Sequence, residues 1–305
     1  MPRRIFYASH AVSVEGTTIQ GAQSVSVNTN FNLEQVFQLG QLSIYDNVST
    51  DPDVEITITK ALDGYPLIWS LATNSGPFGT GGIFSNANDQ CEIILAVGDD
   101  AVGVAPNTSF IQMTGCYVTN VSYTIPVDGN MTEEVQFIGS HKAVTGAGAV
   151  TAPGNASPDT KILRRQHLMA NSLLPAAVAG QNISNISISA SLNREKMFTL
   201  GQMSPFHRFV NFPLEVTISF DVIATGTDGI AMDVINTRCV GRTANEEEIR
   251  IELCSEGVGA ARAYKFYLGN KCKMQSVNYS GGDTSGGNVT LTYTYTTFND
   301  LWIEN

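Results

Sequence analysis

Hydrophobic and polar residues alternate along much of this chain. Residues 24–28 read Ser-Val-Ser-Val-Asn and residues 185–189 read Asn-Ile-Ser-Ile-Ser, the period-two pattern of a strand with one face buried. From 53 to 59 the pattern places Val54, Ile56 and Ile58 on one face and Glu55, Thr57 and Thr59 on the other. Residues 214–220 likewise put Leu214, Val216, Ile218 and Phe220 on an apolar face. Residues 118–123 and 288–295 are rich in β-branched and aromatic side chains, which predicts further strands. The segments 126–130 (Pro-Val-Asp-Gly-Asn) and 281–287 (Gly-Gly-Asp-Thr-Ser-Gly-Gly) predict hairpin turns, each joining the last two strands of its half of the chain. Helix signals are few. Residues 168–179 are apolar and Ala-rich but are interrupted by Pro175, and 228–237 has room for one short helix.

The predicted strands recur in order. Arg164-Arg165 follows Arg3-Arg4 by 161 positions, and in that register Gln20 matches Gln181, Ser26 matches Ser187, Asn32 matches Asn193, Glu34 matches Glu195 and Phe37 matches Phe198. The register closes on Leu39-Gly40-Gln41 against Leu200-Gly201-Gln202. This amounts to about eleven identities over roughly forty positions, several times what unrelated segments share. After a one-residue slip, residues 54–58 match 214–218, which pairs Glu55 with Glu215. Later blocks match Cys116, Val121 and Tyr123 with Cys272, Val277 and Tyr279. The sequence therefore predicts a mainly β protein made of two tandem copies of an antiparallel β-sandwich or half-barrel domain, with one short helix each. The copies are expected at 1–142 and 161–305. A Gly/Ala/Pro linker over 143–160, too small and uncharged to bury much surface, separates them.

Composition narrows the function. The chain has 305 residues, 17 Lys plus Arg and 28 Asp plus Glu, a net charge of −11, with 43% hydrophobic and 15% charged residues. The apolar content argues against disorder. The acidic balance argues against gripping nucleic acid, which needs clustered Lys and Arg. No apolar run is long enough for a membrane span, and no apolar stretch follows the basic start, so neither a membrane helix nor a secretory signal is predicted. Cys91, Cys116, Cys239, Cys254 and Cys272 are widely spaced and odd in number, so free thiols in a reducing compartment are expected, and the Asn-x-Ser/Thr sequons are accidents of composition.

Chemistry-bearing patterns are sparse. His10, His141, His167 and His207 have no partner at metal-ligand spacing, and no hydrolase or Walker motif occurs. The glycine-rich stretch 76–82 lacks the Lys that would hold phosphates. Glu133-Glu134 would face opposite ways on a strand, and Glu246-Glu247-Glu248 reads as a solvated turn. No catalytic residue, metal or cofactor is predicted, so the protein is not expected to be an enzyme.

This organisation resembles the tail tube proteins of long-tailed bacteriophages: repeated β-rich domains, a long loop after the first strands of each, a closing hairpin and no catalytic motif. The resemblance implies a virion protein whose domains form pseudo-sixfold rings. In members with two fused tube domains, three chains complete a ring, and stacked rings make a hollow tube for DNA. Implied partners are the chain itself, other tail proteins at the tube ends and a tail sheath where one exists. DNA would pass without specific binding, with assembly in the host cytoplasm. Like-charge repulsion in an acidic lumen would keep DNA from sticking. Glu55 and Glu215 are the candidates for lumen charge. Arg3, Arg4, Arg164, Arg165, Glu34 and Glu195 are the candidates for contacts between subunits. Segments 28–47 and 189–207 are the long loops that would reach an adjacent ring. Other readings of the same composition are a tail terminator, a capsid decoration protein, or the injection tube of a contractile secretion system.

Overall fold

The computed structural model describes residues 10–73, 82–98, 109–145, 150, 161–224, 246–254, 262–281 and 288–304. The first half carries β1 (His10–Val14), β2 (Thr17–Thr18), β3 (Ala22–Asn30), β4 (Leu33–Phe37), β5 (Ile44–Ser49) and β6 (Asp53–Ala61). Two short helices follow, α1 (Ile68–Ala72) and α2 (Ile83–Asn86), and then β7 (Cys91–Val97), β8 (Ser109–Pro126), β9 (Thr132–Gly139) and β10 (His141–Thr145). The second half carries β11 (Asn182–Ser191), β12 (Arg194–Met197), β13 (His207–Val210), β14 (Glu215–Ile223) and β15 (Glu246–Glu247). It ends with β16 (Arg250–Cys254), β17 (Arg262–Tyr267), β18 (Cys272–Ser280), β19 (Thr290–Phe298) and β20 (Trp302–Glu304). Every named strand pairing is antiparallel.

One wall dominates. Its strands run β18-β19-β14-β11-β8-β9-β6-β3, with the two halves meeting where β11 pairs with β8. The alternation read from the sequence sets its two faces. Val54, Ile56, Ile58, Tyr123, Phe137, Ile188, Ile218, Phe220 and Tyr295 are buried on one side. The other side is a field of Ser, Thr, Asn and Gln. A second layer, made of β1, β7, β10 and the start of β8 in the first half and of β16-β17-β20 in the second, closes over the apolar face. Tyr123 and Phe266 meet across the layers with ring centroids 4.6 Å apart. Burial of this apolar area, at about 25 cal/mol per Å², is the main favourable contribution.

Pairings in the first half recur in the second, strand for strand. β3·β6, β6·β9 and β9·β8 correspond to β11·β14, β14·β19 and β19·β18, and the hairpin β4·β5 corresponds to β12·β13. Irregularities recur too. β3·β6 shifts register between Ala22 and Ser24, and β11·β14 between Ile183 and Asn185. β8·β9 shifts between Val118 and Asn120, and β18·β19 between Met274 and Ser276. Gly40 (φ 88°) and Gly201 (φ 89°) turn the two hairpin tips in a left-handed conformation that side chains with a Cβ rarely adopt. That is the mechanical reason for the glycine of the shared Leu-Gly-Gln block.

The sequence expectations need four amendments. Segments 28–47 and 189–207 are not plain loops: they carry the β4–β5 and β12–β13 hairpins. Each closing pair, β8–β9 and β18–β19, is followed by one more short strand, β10 or β20, so it is not terminal, and residues 282–287 of the second predicted turn lie outside the described residues. The predicted linker contributes residues 143–145 to β10, and Val150 is buried against Ala11, Ala96 and Phe110. Among the described residues the first half carries two short helices rather than one, and 168–179 forms turns and isolated bridges with Leu253 and Arg250 instead of a helix. Positions 228–237 and the loop 76–81 lie outside the described residues.

Helix α1 shows how a local deficit is met from afar. Its N-cap, Leu67, has no side-chain acceptor. The buried Glu133 carboxylate of β9 takes the amides of Ile68 at 2.7 Å and Trp69 at 3.1 Å, and accepts from Tyr123 Oη at 3.0 Å. Burial pushes this carboxyl above its ordinary range, against the lowering effect of those donors and of Lys60.

Candidate functional site: the assembly surface

Three features of the surface stand out: two strand edges, two projecting hairpins and the polar face of the wall. Among the described residues β3 pairs only with β6, so its outer edge is open. At the far end of the wall, among the described residues, β18 is covered on its outer edge only at Cys272 and Lys273, by β15. The two open edges correspond, strand for strand, to the edges that meet inside the chain at β11·β8. There Ile188 stands opposite Tyr123, and the Leu192 amide donates to the Thr119 carbonyl at 2.8 Å. A cleft of about 560 Å³ lies along β3, lined by Val12, Ile19, Ala22, Val25 and Leu95 among others. Unpaired edges and exposed apolar clefts are the features by which chains add to one another.

The hairpins share a pairing scheme but differ in cover. The base of β12–β13 is seated on the first half by charge. Arg208, almost wholly buried, places Nη2 2.7 Å from Asp53 Oδ1 and 3.4 Å from Asp51 Oδ2, and donates to Ser140 Oγ at 2.8 Å. Lys196 reaches the same two carboxylates at 2.8 and 3.2 Å. Burial alone would raise the Asp53 carboxyl, but hydrogen bonds from Lys196, Arg208 and Asn32 outweigh it and hold it below the ordinary range. Arg194 donates to the carbonyls of Val118 and Ala87 and lies over the Tyr117 ring, and burial pulls its guanidinium down to about 10. His207 Nδ1 is 2.7 Å from Tyr117 Oη, which also takes a hydrogen bond from Gln90. Burial, then Arg194, lowers the His207 ring. By contrast every residue of β4 and β5 is exposed. Leu33, Phe37 and Tyr45 are each more than 60% exposed, and Leu39 and Leu42 at the tip are fully so.

The predicted site residues are distributed over these features. Glu55 lies exposed on the polar face and accepts from Asn28 Nδ2 at 3.3 Å. Glu215 lies exposed on the same face at the start of β14, but the pairing registers align it with Asp53 rather than Glu55. Asn30 stands opposite Asp53 where Ser191 stands opposite Glu215. Glu34 is exposed opposite Val48 on β4, and Glu195 is exposed opposite Phe209 on β12. Arg164 Nε donates to Asn130 Oδ1 at 3.1 Å, and Arg165 lies 3.7 Å from Asp128. Both therefore meet the β8–β9 turn of their own chain. Both side chains of the Arg165–Asp128 pair are mostly solvated, and such pairs contribute little. Arg3 and Arg4 lie outside the described residues.

Sequence reading missed the Asp51/Asp53–Lys196/Arg208 cluster. A signal was available. Arg194, Lys196 and Arg208 stand where the first half has Leu33, Gln35 and Asn47, a concentration of cations in a chain with only 17.

No protein-family model matches this chain, and no curated protein matches it. Among the described residues, no helix is long and apolar enough to cross a membrane.

Proposed function

We propose that this protein is a non-enzymatic structural virion protein, a phage tail tube protein with two fused, tandemly duplicated tube domains. Three chains would close a pseudo-sixfold ring, and stacked rings would form a hollow tube for DNA. The observation that carries this reading is the pair of open edges on β3 and β18, which correspond to the two edges already joined at β11·β8. A chain that ends in the same two edges it joins internally can add copies of itself until the sheet closes, and closure removes the edges. The exposed hairpin tips around Leu39 and Leu200 fit contacts to a ring above or below.

The polar face supports the reading further. Glu55, Glu134, Glu215 and Asp221 lie on it, with Lys273 at its edge, among hydroxyl and amide side chains. Such a face would repel DNA weakly and offer it no grip. Partners under this proposal are further copies of the chain, other tail proteins at the tube ends, and a sheath if the tail contracts. The place of action would be the virion tail, with assembly in the host cytoplasm.

Negative-stain electron microscopy of the purified protein tests the proposal. Rings or tubes with threefold symmetry and a sixfold outline are expected. A monomer or compact trimer that never stacks, even when concentrated, would move the assignment to a terminator or decoration protein.

A further inference from the structure

The geometry points to a specific seat for the β4–β5 hairpin: the second half of a neighbouring copy of this chain, with Asp46 meeting Lys273. This rests on the self-assembly reading and adds to it the surface and the charge pair.

The argument starts from the seated hairpin. His207 on β13 touches Tyr117 on β8 at 2.7 Å, and Gln90 completes the contact from the other side. The repeated pairings give each of these residues a counterpart. β12–β13 corresponds to β4–β5 in a register that sets Leu33 opposite Ser49 where Arg194 is opposite Val210, so His207 corresponds to Asp46. The shared irregularity after Val118 and Met274 fixes β8 against β18, so Tyr117 corresponds to Lys273. Glu247 stands opposite Cys272 where Cys91 stands opposite Cys116, so Gln90 corresponds to Glu246.

Where one seat has Gln90, Tyr117 and His207, the other would have Glu246, Lys273 and Asp46 of a neighbour. Within the chain Glu246 already faces Lys273 across the strands. Asp46 would bring a second carboxylate to the same ammonium group. Asp46 and Lys273 are both exposed, as are Val36, opposite Asp46, and Phe298, two residues beyond the Thr296 that faces Lys273. Within one chain the hairpin cannot reach this seat, because β3 and β18 lie at opposite ends of an eight-stranded wall. Only a second copy brings the two together. The cations that seat β12–β13 have no counterparts in β4–β5, so the seam between chains depends on Asp46–Lys273 and apolar contact instead.

A charge swap tests this. In D46K a lysine faces Lys273, and in K273D an aspartate faces Asp46. Each single variant should weaken self-association at least about tenfold in sedimentation velocity, since like charges across an interface are strongly disfavoured. The double variant D46K/K273D should restore it. Circular dichroism checks that each variant is folded. Independently, equal amounts of ¹⁴N- and ¹⁵N-labelled wild-type chains treated with a carbodiimide should yield a mixed-label amide joining Asp46 to Lys273. Single variants that assemble like wild type, or a double variant that stays dissociated while folded, overturn the seat and leave the tube reading standing. A wild-type chain that never self-associates overturns both.

Discussion

Arg208 Nη2 sits 2.7 Å from Asp53 Oδ1 although 155 positions separate the two residues, and this contact ties the β12–β13 hairpin to the first half. The guanidinium is buried, so removing it leaves two carboxylates answered by Lys196 and the Asn32 amide. Arg208→Ala should destabilise the protein by about 3 kcal/mol or more, as expected when one partner of a buried ion pair is lost. Urea denaturation measures it. Asp53→Ala added to Arg208→Ala should cost less than the sum of the two single changes.

The same cluster predicts an acid limb of stability. The Asp53 carboxyl is held below its ordinary value of 3.8, so the folded state favours its ionised form. Its contribution is fully present above that ordinary value and is lost as pH falls through it towards the lower folded-state value. Asp53→Asn should flatten this part of the stability–pH curve, which thermal melts at stepped pH will show. An unchanged acid limb would remove Asp53 from the account.

Thiol reactivity offers a third test. Cys91 and Cys116 stand opposite each other on β7 and β8, both buried. Burial pushes both thiols up, Cys116 to about 12, and Cys272 likewise to about 12. Thiolates are the reactive form, so at pH 8 these three should resist iodoacetamide in the native protein and react in denaturant. Peptide mapping by mass spectrometry reads out each position separately.

The proposed lumen is testable in a virion. Glu55→Lys with Glu215→Lys exchanges two carboxylates on the polar face for ammonium groups without touching the apolar side. Tubes should form normally while DNA passage slows. Unchanged infectivity would take both residues off the DNA path.

Much of the wall was legible in the sequence because period-two alternation is a local signal. Val54, Ile56 and Ile58 are buried where the pattern placed them. The order of the repeated blocks along the chain was legible from residue identities such as Leu39-Gly40-Gln41 against Leu200-Gly201-Gln202. Register was not. Sequence similarity paired Glu55 with Glu215, whereas hydrogen bonding pairs Asp53 with it, because a two-residue shift keeps every side chain on the same face and leaves the pattern unchanged. The hairpin β4–β5 reads as a loop because neither face of β4 or β5 is buried in the chain, and β12–β13 does so because its two strands are only four residues each and their buried positions include Arg208 rather than an apolar run. The Asp51/Asp53–Arg208 cluster was hidden because an ion pair between distant residues leaves no periodic trace.

The β11·β8 junction also has a consequence for synthesis. When Pro126 has left the ribosome, the edge of β8 that will face β11 must wait for that strand, whose last residue, Ser191, comes 65 positions later. At about 5–20 residues per second this is a delay of about 3–13 s, in which a nascent chain exposes a bare strand edge to its neighbours on the same message. Joining both halves in one polypeptide means that the strand which ends this exposure arrives on the same chain, at a fixed time and at high local concentration. Two separately made halves would have to find each other by diffusion while both edges were bare.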